Sequence, residues 1–362
     1  MHEKTILLHL SLIEGIGPAA ISHILESRDQ NFALTDLYIL SMADMQKRFG
    51  FSFEKSEKIV NGLQDAHLLD KELEDIERYD ISWVTLLDDN YPESLPHIHL
   101  PPAILYWQGA TINTKQSIAI VGSRVMNSYG RMAIEQFVPS LVGLRWTIVS
   151  GGAIGADSYA HQCTLHEHGK TVAVLGSGLL RPYPSRNKKL FKEIVQSGGT
   201  IVSPFPIHAI PLPGNFPARN RVIAGLSRGC IVVQAAQKSG ARITAQFALE
   251  QGADVFAVPG PITDPLSVGC HDLIKQGAKL IHSVEDILEE FGQSMAKKRV
   301  LEGKMKQFDE ITENIITHCN NPIPLDDLVT ITGLSVAQLH QKLFDMQIQG
   351  LICQYMGLWQ RL

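Results

Sequence analysis

The chain has no excess of positive charge. Its 362 residues hold 32 Lys+Arg against 37 Asp+Glu, a formal net charge of −5. That balance excludes a wholly basic coat for nucleic acid and leaves room for a local basic pocket. The five cysteines (Cys163, Cys230, Cys270, Cys319 and Cys353) are scattered and form no C-x-x-C pair. A disulfide framework is therefore not expected, and the reading is a reducing, cytosolic compartment. The run MHEKTILLHLSLIEG is charged at once and broken by Ser11 and Glu14, unlike a signal peptide. No apolar run reaches the roughly 18 residues of a membrane span.

Several nucleotide and catalytic signatures are missing as well. Gly176 and Gly178 lack the third glycine of G-x-G-x-x-G, and no G-x-x-x-x-G-K-[ST] occurs. Dinucleotide and P-loop ATP binding are thereby disfavoured. No G-x-S-x-G elbow or paired acid and base is present. Asp157 and His161 lie four apart on one predicted helix face, but no cysteine cluster or second carboxylate has metal-ligand spacing. These two are read as capping or core residues. No cofactor, metal or turnover chemistry is expected.

What is present is ordinary globular composition, 44% hydrophobic and 19% charged, at a length that suits two or three domains. Residues 1–75 read as helices on the spacing of their apolar residues, with Gly15-Ile16-Gly17-Pro18 between two of them. That turn resembles a helix-hairpin-helix element, and the region is expected to be an all-α domain of SAM-like type. Residues 76–116 carry several prolines and read as a connecting piece ahead of the α/β core, which is assigned to 76–292. Within it, SIAIVGS (117–123), WTIVSGG (146–152), TVAVLGS (171–177), TIVSPF (200–205), CIVVQAA (230–236), DVFAVPG (254–260) and KLIHS (279–283) read as strands alternating with helices. Continuously apolar strands in that alternation predict a Rossmann-like parallel sheet covered on both faces. Residues 293–304 read as a polar linker. Residues 305–362 read as three helices and a ribbon turning at Met356-Gly357, the order of a winged helix.

In such a sheet ligands bind beyond the carboxyl ends of the strands. Those ends collect Gly122-Ser123-Arg124, Gly151-Gly152, then Arg186, Lys188 and Lys189, then the stretch from Phe216 to Arg221, and Lys238. Glycines admit a ligand close to the backbone, free amides at helix starts accept anions, and arginine suits phosphate. Tyr183 and Phe216 supply aromatic faces for bases beside the cations. A single such turn usually binds nothing. Five together point to a phosphate pocket for a nucleotide or a nucleic-acid strand. Of the three arginines in GNFPARNRVIAGLSRG, Arg219 and Arg221 fall at the helix mouth. Arg228 falls at the far end, where it is expected to meet helix carbonyls.

Taken in order, DDNYP (88–92), PAILY (102–106), IAIVGSR (118–124), SGGAIGADSYAH (150–161), TVAVLGSGL (171–179), NFPARNRVIAGLS (215–227) and KSGARITAQFALEQGADVFAVPG (238–260) resemble the DprA/Smf family of DNA-processing proteins over about residues 80–285. The resemblance implies a homodimer that binds single-stranded DNA. It further implies that RecA is loaded onto incoming strands past single-strand-binding protein during natural transformation, without turnover chemistry. It implies that Arg124 grips phosphate in a loop with Gly122 and Ser123 and that Phe216, Arg219, Asn220 and Arg221 line the same pocket; the strand-end reading adds Gly151, Gly152, Arg186, Lys188 and Lys238 to the DNA-binding set. The lysine the family often has after Tyr-Pro is Ser185 here, with Arg186 next. The alternative reading is a Rossmann-like enzyme such as a nucleoside-monophosphate phosphoribohydrolase. The glutamate of that enzyme's P-G-G-x-G-T-x-x-E motif has no counterpart at Gln237–Thr244.

Overall fold

The computed structural model describes residues 2–29, 32–112, 114–292, 310–348, 351–355 and 357–361. The expected linker at 293–304 and Met356 of the ribbon turn lie outside the described residues. The chain divides into two compact units, Met1–Phe291 and Gly292–Leu362.

The first unit begins with five helices: α1 (Glu3–Leu12), α2 (Pro18–Glu26), α3 (Met42–Phe49), α4 (Phe53–Gln64) and α5 (Ala66–Arg78). Their boundaries follow local chemistry. Pro18 opens α2, where its missing N–H costs nothing. The Ser41 hydroxyl accepts from the Asp44 amide at the start of α3, and Gly50 closes that helix in the left-handed region. The apolar faces of these helices share one core with the sheet that follows. Ile6, Leu8 and Ile24 belong to the same buried cluster as Ile104, Leu175, Ile194 and Ile201.

The sheet comprises β1 (Ser82–Thr85), β2 (Ile104–Gly109), β3 (Ser117–Val121), β4 (Thr147–Ser150), β5 (Thr171–Val174), β6 (Thr200–Ser203), β7 (Gly229–Val232), β8 (Asp254–Ala257) and β9 (Lys279–Leu280). Its order is β1-β2-β6-β5-β4-β3-β7-β8-β9. The pairs from β6 through β9 are parallel, whereas β1–β2 and β2–β6 are antiparallel. The segment 76–116 is therefore more than a connection. Its prolines end just before Ile104, and the buried Ile104-Leu105-Tyr106 run extends the sheet on the β6 side. Every residue of β3, β5, β6 and β7 is buried, as strands covered on both faces require.

Between the strands run α6 (Ser128–Gly143), α7 (Ala156–His166), α8 (Lys188–Gln196), α9 (Asn215–Gly225), α10 (Gly240–Glu250), α11 (Val268–Lys275) and, last, α12 (Val284–Glu290). From β3 the chain steps outward through β4 and β5 to β6. It then returns by way of α9 to place β7 on the other side of β3. The strand order thus reverses between β3 and β7, and the loops leaving those two strands part to leave a crevice.

The second unit holds α13 (Glu310–His318), β10 (Ile323–Pro324), α14 (Leu325–Thr332), α15 (Val336–Ile348), β11 (Ile352–Tyr355) and β12 (Leu358–Arg361), with sheet order β10-β12-β11. Gly333, left-handed, ends α14, as its place in the Thr332–Ser335 turn predicts. Ile315, Leu328, Leu339, Leu343 and Trp359 form its core.

Candidate functional site

A cavity of about 660 Å³ opens at the β3/β7 crossover. It is walled by the loop after β3, the first turns of α9 and α10, and Tyr183 from the loop after β5. Gly214 caps α9 with no side-chain hydrogen bond, and the first amides of the helix, those of Asn215 and Phe216, donate to the carbonyls of Leu212 and Pro213. Ser239 caps α10 by accepting from the Ala241 amide.

Gly122 is needed where the β3 loop turns. A Cβ there would sit 2.7 Å from that of Ala156. The loop is then held by a group the sequence reading passed over. Gln234, two residues beyond β7 and buried, accepts from the Asn127 amide and donates to Asn127 Oδ1, 2.8 Å away. The Asn127 side chain in turn donates to Asp264, and its Oδ1 accepts from Gly130 to cap α6. A lone amide ending an otherwise apolar run was the available signal. The Ser123 hydroxyl is buried and accepts from Val125. Arg124 emerges exposed, with its guanidinium carbon 5.9 Å from the centre of the Phe216 ring.

Phe216 packs at a tilt against Tyr183, ring centres 5.8 Å apart, and lies against Gly176, where any Cβ would meet the ring at 2.8 Å. Tyr183 is 45% exposed and Val125 76%. Cation, two tilted rings and an apolar ledge thus stand together at the cavity mouth, in an arrangement that suits a base on the rings and a phosphate on Arg124. Lys238 and Asn220 also line the cavity, with the Asn220 amide 3.4 Å from the Gly240 carbonyl.

Arg219 takes a different place from the one its position at the helix mouth implied. It is 4% exposed, and its guanidinium donates inward to the carbonyls of Gly151 and Val174. A Cβ on Gly151 would collide with that guanidinium and lie 2.6 Å from Asp157 Oδ2, so the glycine is the seat of the arginine. Burial pushes the Arg219 pKa down and the Asp157 charge pushes it back up. Burial raises the Asp157 carboxyl, and Arg219 together with the Ala153 amide lowers it. The pair is a buried strut behind the cavity wall, and it contributes field there. Asp157 is the one carboxylate among the described lining residues, against the three cations Arg124, Arg219 and Lys238.

His161, next along α7, is fully buried. The Thr171 hydroxyl spends its proton on the Ile148 carbonyl, so His161 Nδ1 donates to Thr171 and Nε2 carries the lone pair. Burial pushes its pKa down to about 3. This neutral imidazole supports the sheet, as a core role predicts.

Other expected residues fall apart from the cavity. Gly152 sits at φ +62 and packs on Phe191. Arg186 and Lys188 are exposed near the start of α8 and do not line the cavity, while Asn187 between them is buried and donates to the Gly152 carbonyl. Arg221 faces the other side of α9, 5.0 Å above the Phe247 ring. It lines a second, more apolar cavity with the Gly15–Pro18 turn. Arg228 lies over Phe291 at 4.7 Å and Trp146 at 5.8 Å. Its guanidinium meets aromatic faces in place of the expected helix carbonyls.

A family model described as DNA recombination-mediator protein A matches residues 82–292. The chain belongs to that family. It is 43% identical over 230 residues to DNA processing protein DprA of Streptococcus pneumoniae, covering 63% of this chain and 79% of that one. With protein Smf of Synechocystis it shares 30% identity over 98% of both chains. Among solved structures, DprA from S. pneumoniae matches with a TM-score of 0.62 at 36% identity, over 76% of this chain and 98% of that chain. DNA processing protein A from Helicobacter pylori, described for its single-stranded DNA binding mode, matches at 0.52 and 30% identity, over 58% and 95%. The DprA match spans the crossover cavity. None of the helices in the described residues is long and apolar enough to cross a membrane.

Proposed function

We propose that this protein is a cytoplasmic recombination mediator that binds single-stranded DNA across the crossover cavity. It loads RecA onto the strand, past single-strand-binding protein, during natural transformation, and acts as a homodimer. The observation that carries the reading is the exposed Arg124 over Phe216 and Tyr183, at the mouth of a cavity with three cations and one buried carboxylate. In this reading Arg124 and Lys238 take phosphates, and the amides of Gly122 and Ser123 supplement them. Phe216 and Tyr183 take bases, and Asn220 lines the path. Arg219 and Gly151 hold the wall. Arg186 and Lys188 extend the basic surface outside the cavity.

The same site argues against a phosphoribohydrolase. The one lining carboxylate is Asp157, buried behind the wall and held by the Ala153 amide, where it cannot reach a ribose. The second unit is read as a winged helix. Its α15 carries Lys342 against Asp345 with no further cation, which favours contact with protein over a DNA groove. The N-terminal helices are read as a helix-hairpin-helix region.

The test is fluorescence anisotropy of labelled oligonucleotides over a salt series, followed by RecA strand exchange in the presence of single-strand-binding protein. Binding should weaken steeply with salt and favour single strands over duplex. Preference for duplex, or no stimulation of strand exchange, would overturn the proposal.

A further inference from the structure

At the opposite, amino edge of the sheet a cavity of about 440 Å³ lies where α6, α7 and α8 end. Its described lining includes Arg145, His168 and Lys170 and no carboxylate. None of the three has an ion-pair partner among the described residues. Trp146 also lines the cavity. It is 1% exposed, and its indole N–H finds no acceptor.

The backbone sharpens this. Five of the sheet helices end in the same double hydrogen-bond cap, in which the second residue past the helix is left-handed. At α8, α10 and α11 that residue is glycine: Gly198 at φ +76, Gly252 at +73 and Gly277 at +104. At α6 it is Arg145, φ +63, where the Trp146 amide bonds to Leu141 and the Arg145 amide to Val142. At α7 it is His168, φ +54, where the Gly169 amide bonds to Thr164 and the His168 amide to Leu165. Glycine is the unstrained residue for this conformation. The chain uses it at three of the five ends, whereas two of the three ends that line this cavity carry Arg145 and His168 instead. Cations at a helix end also offset the carbonyl dipole. However, α8, which ends on the same cavity, has neither a cation in its last turn nor one at the cap.

We infer that this amino-edge cavity is a second anion site, for a phosphate or a phosphodiester, held by Arg145, His168 and Lys170, with the adjoining Trp146 indole as its reporter. It stands on its own residues and does not depend on the reading of the crossover cavity. Its sources are free phosphate or pyrophosphate and the backbone of a nucleic-acid strand that has passed over the sheet edge.

The experiment uses the full chain labelled with nitrogen-15 at tryptophan, with the Trp146 indole signal assigned by its loss in Trp146→Phe. Pyrophosphate and, separately, a single-stranded dT oligomer are titrated into the wild type, Arg124→Ala and Arg145→Gly/His168→Gly. The Trp146 signal should move with at least one probe, equally in Arg124→Ala, and the apparent Kd should rise tenfold or more in the double glycine variant. That variant should melt no lower than the wild type, and about 2 °C higher if strain relief dominates. Movement at lower concentration with the oligomer assigns the site to nucleic acid, and movement with pyrophosphate alone assigns it to a small anion. A Trp146 signal that stays still with both probes, or moves equally in the double variant, overturns the inference. A lowered melting temperature with no anion response assigns Arg145 and His168 to helix capping alone.

Discussion

Replacing Arg219 with methionine separates a strut from a ligand. The methionine stem fills much of the same space, but it leaves the carbonyls of Gly151 and Val174 unpaired and Asp157 buried without its cation. Removing one partner of a buried charge pair costs about 3–5 kcal/mol. For a unit of this size each kcal/mol moves the melting temperature about 2–4 °C, so Arg219→Met should melt some 6–20 °C lower. Adding Asp157→Asn removes the stranded charge and should restore part of that loss. Strand binding at low temperature should keep its salt dependence, because the guanidinium donates inward and neutralises no phosphate. Arg124→Ala should behave oppositely. Each phosphate contact to a single strand contributes about −0.7 to the slope of log K against log salt, so this variant should flatten the slope by about 0.7 and leave the melting temperature unchanged. The assays are differential scanning fluorimetry and anisotropy over a salt series. An Arg219→Met protein with unaltered melting temperature and a slope flattened by about 0.7 would refute the division of roles.

Three further outcomes are expected. Phe216→Ala should weaken strand binding by roughly 5- to 150-fold, the worth of about 1–3 kcal/mol of base stacking, and an anisotropy change below twofold would remove the ring from the site. Gly176→Val should push the Phe216 ring off its seat, since even a Cβ meets that ring at 2.8 Å, and should reduce affinity several-fold at fixed salt; unchanged affinity would show the ring position to be immaterial. His161 is held neutral in the fold with a pKa near 3, whereas unfolded chain takes up its proton below about 6.5. Its contribution is therefore present above pH 6.5 and lost as pH falls toward 3, by roughly 2 kcal/mol at pH 5. His161→Gln should flatten the urea-denaturation stability curve between pH 6.5 and 5, and parallel curves for the two proteins would dispose of the assignment.

The sequence showed most where a residue's role is set by its neighbours along the chain. The seven parallel strands and the loops leaving them could be read from apolar runs and turn residues, and that placed Arg124, Phe216 and Lys238 near one another. Two kinds of information stayed out of reach. The antiparallel edge formed by β1 and β2 was hidden because prolines at 92, 96, 101 and 102 crowd a segment whose strands are short, and their pairing with β6 closes over nearly a hundred residues. Side-chain direction was the other. Arg219, Asn220 and Arg221 are consecutive, yet a helix sends them inward, toward the cavity and toward the opposite face. Sequence spacing alone cannot say which of three adjacent polar residues faces a ligand, because that depends on where the sheet lies. Gly151 decides it for Arg219. A residue with no side chain, 68 positions away, leaves the room in which the guanidinium reaches the carbonyls at the β4 and β5 strand ends. Gly151 of the SGG loop thus serves as a seat for a cation of the protein itself, which leaves the exposed Arg124, and not Arg219, as the arginine presented at the cavity mouth.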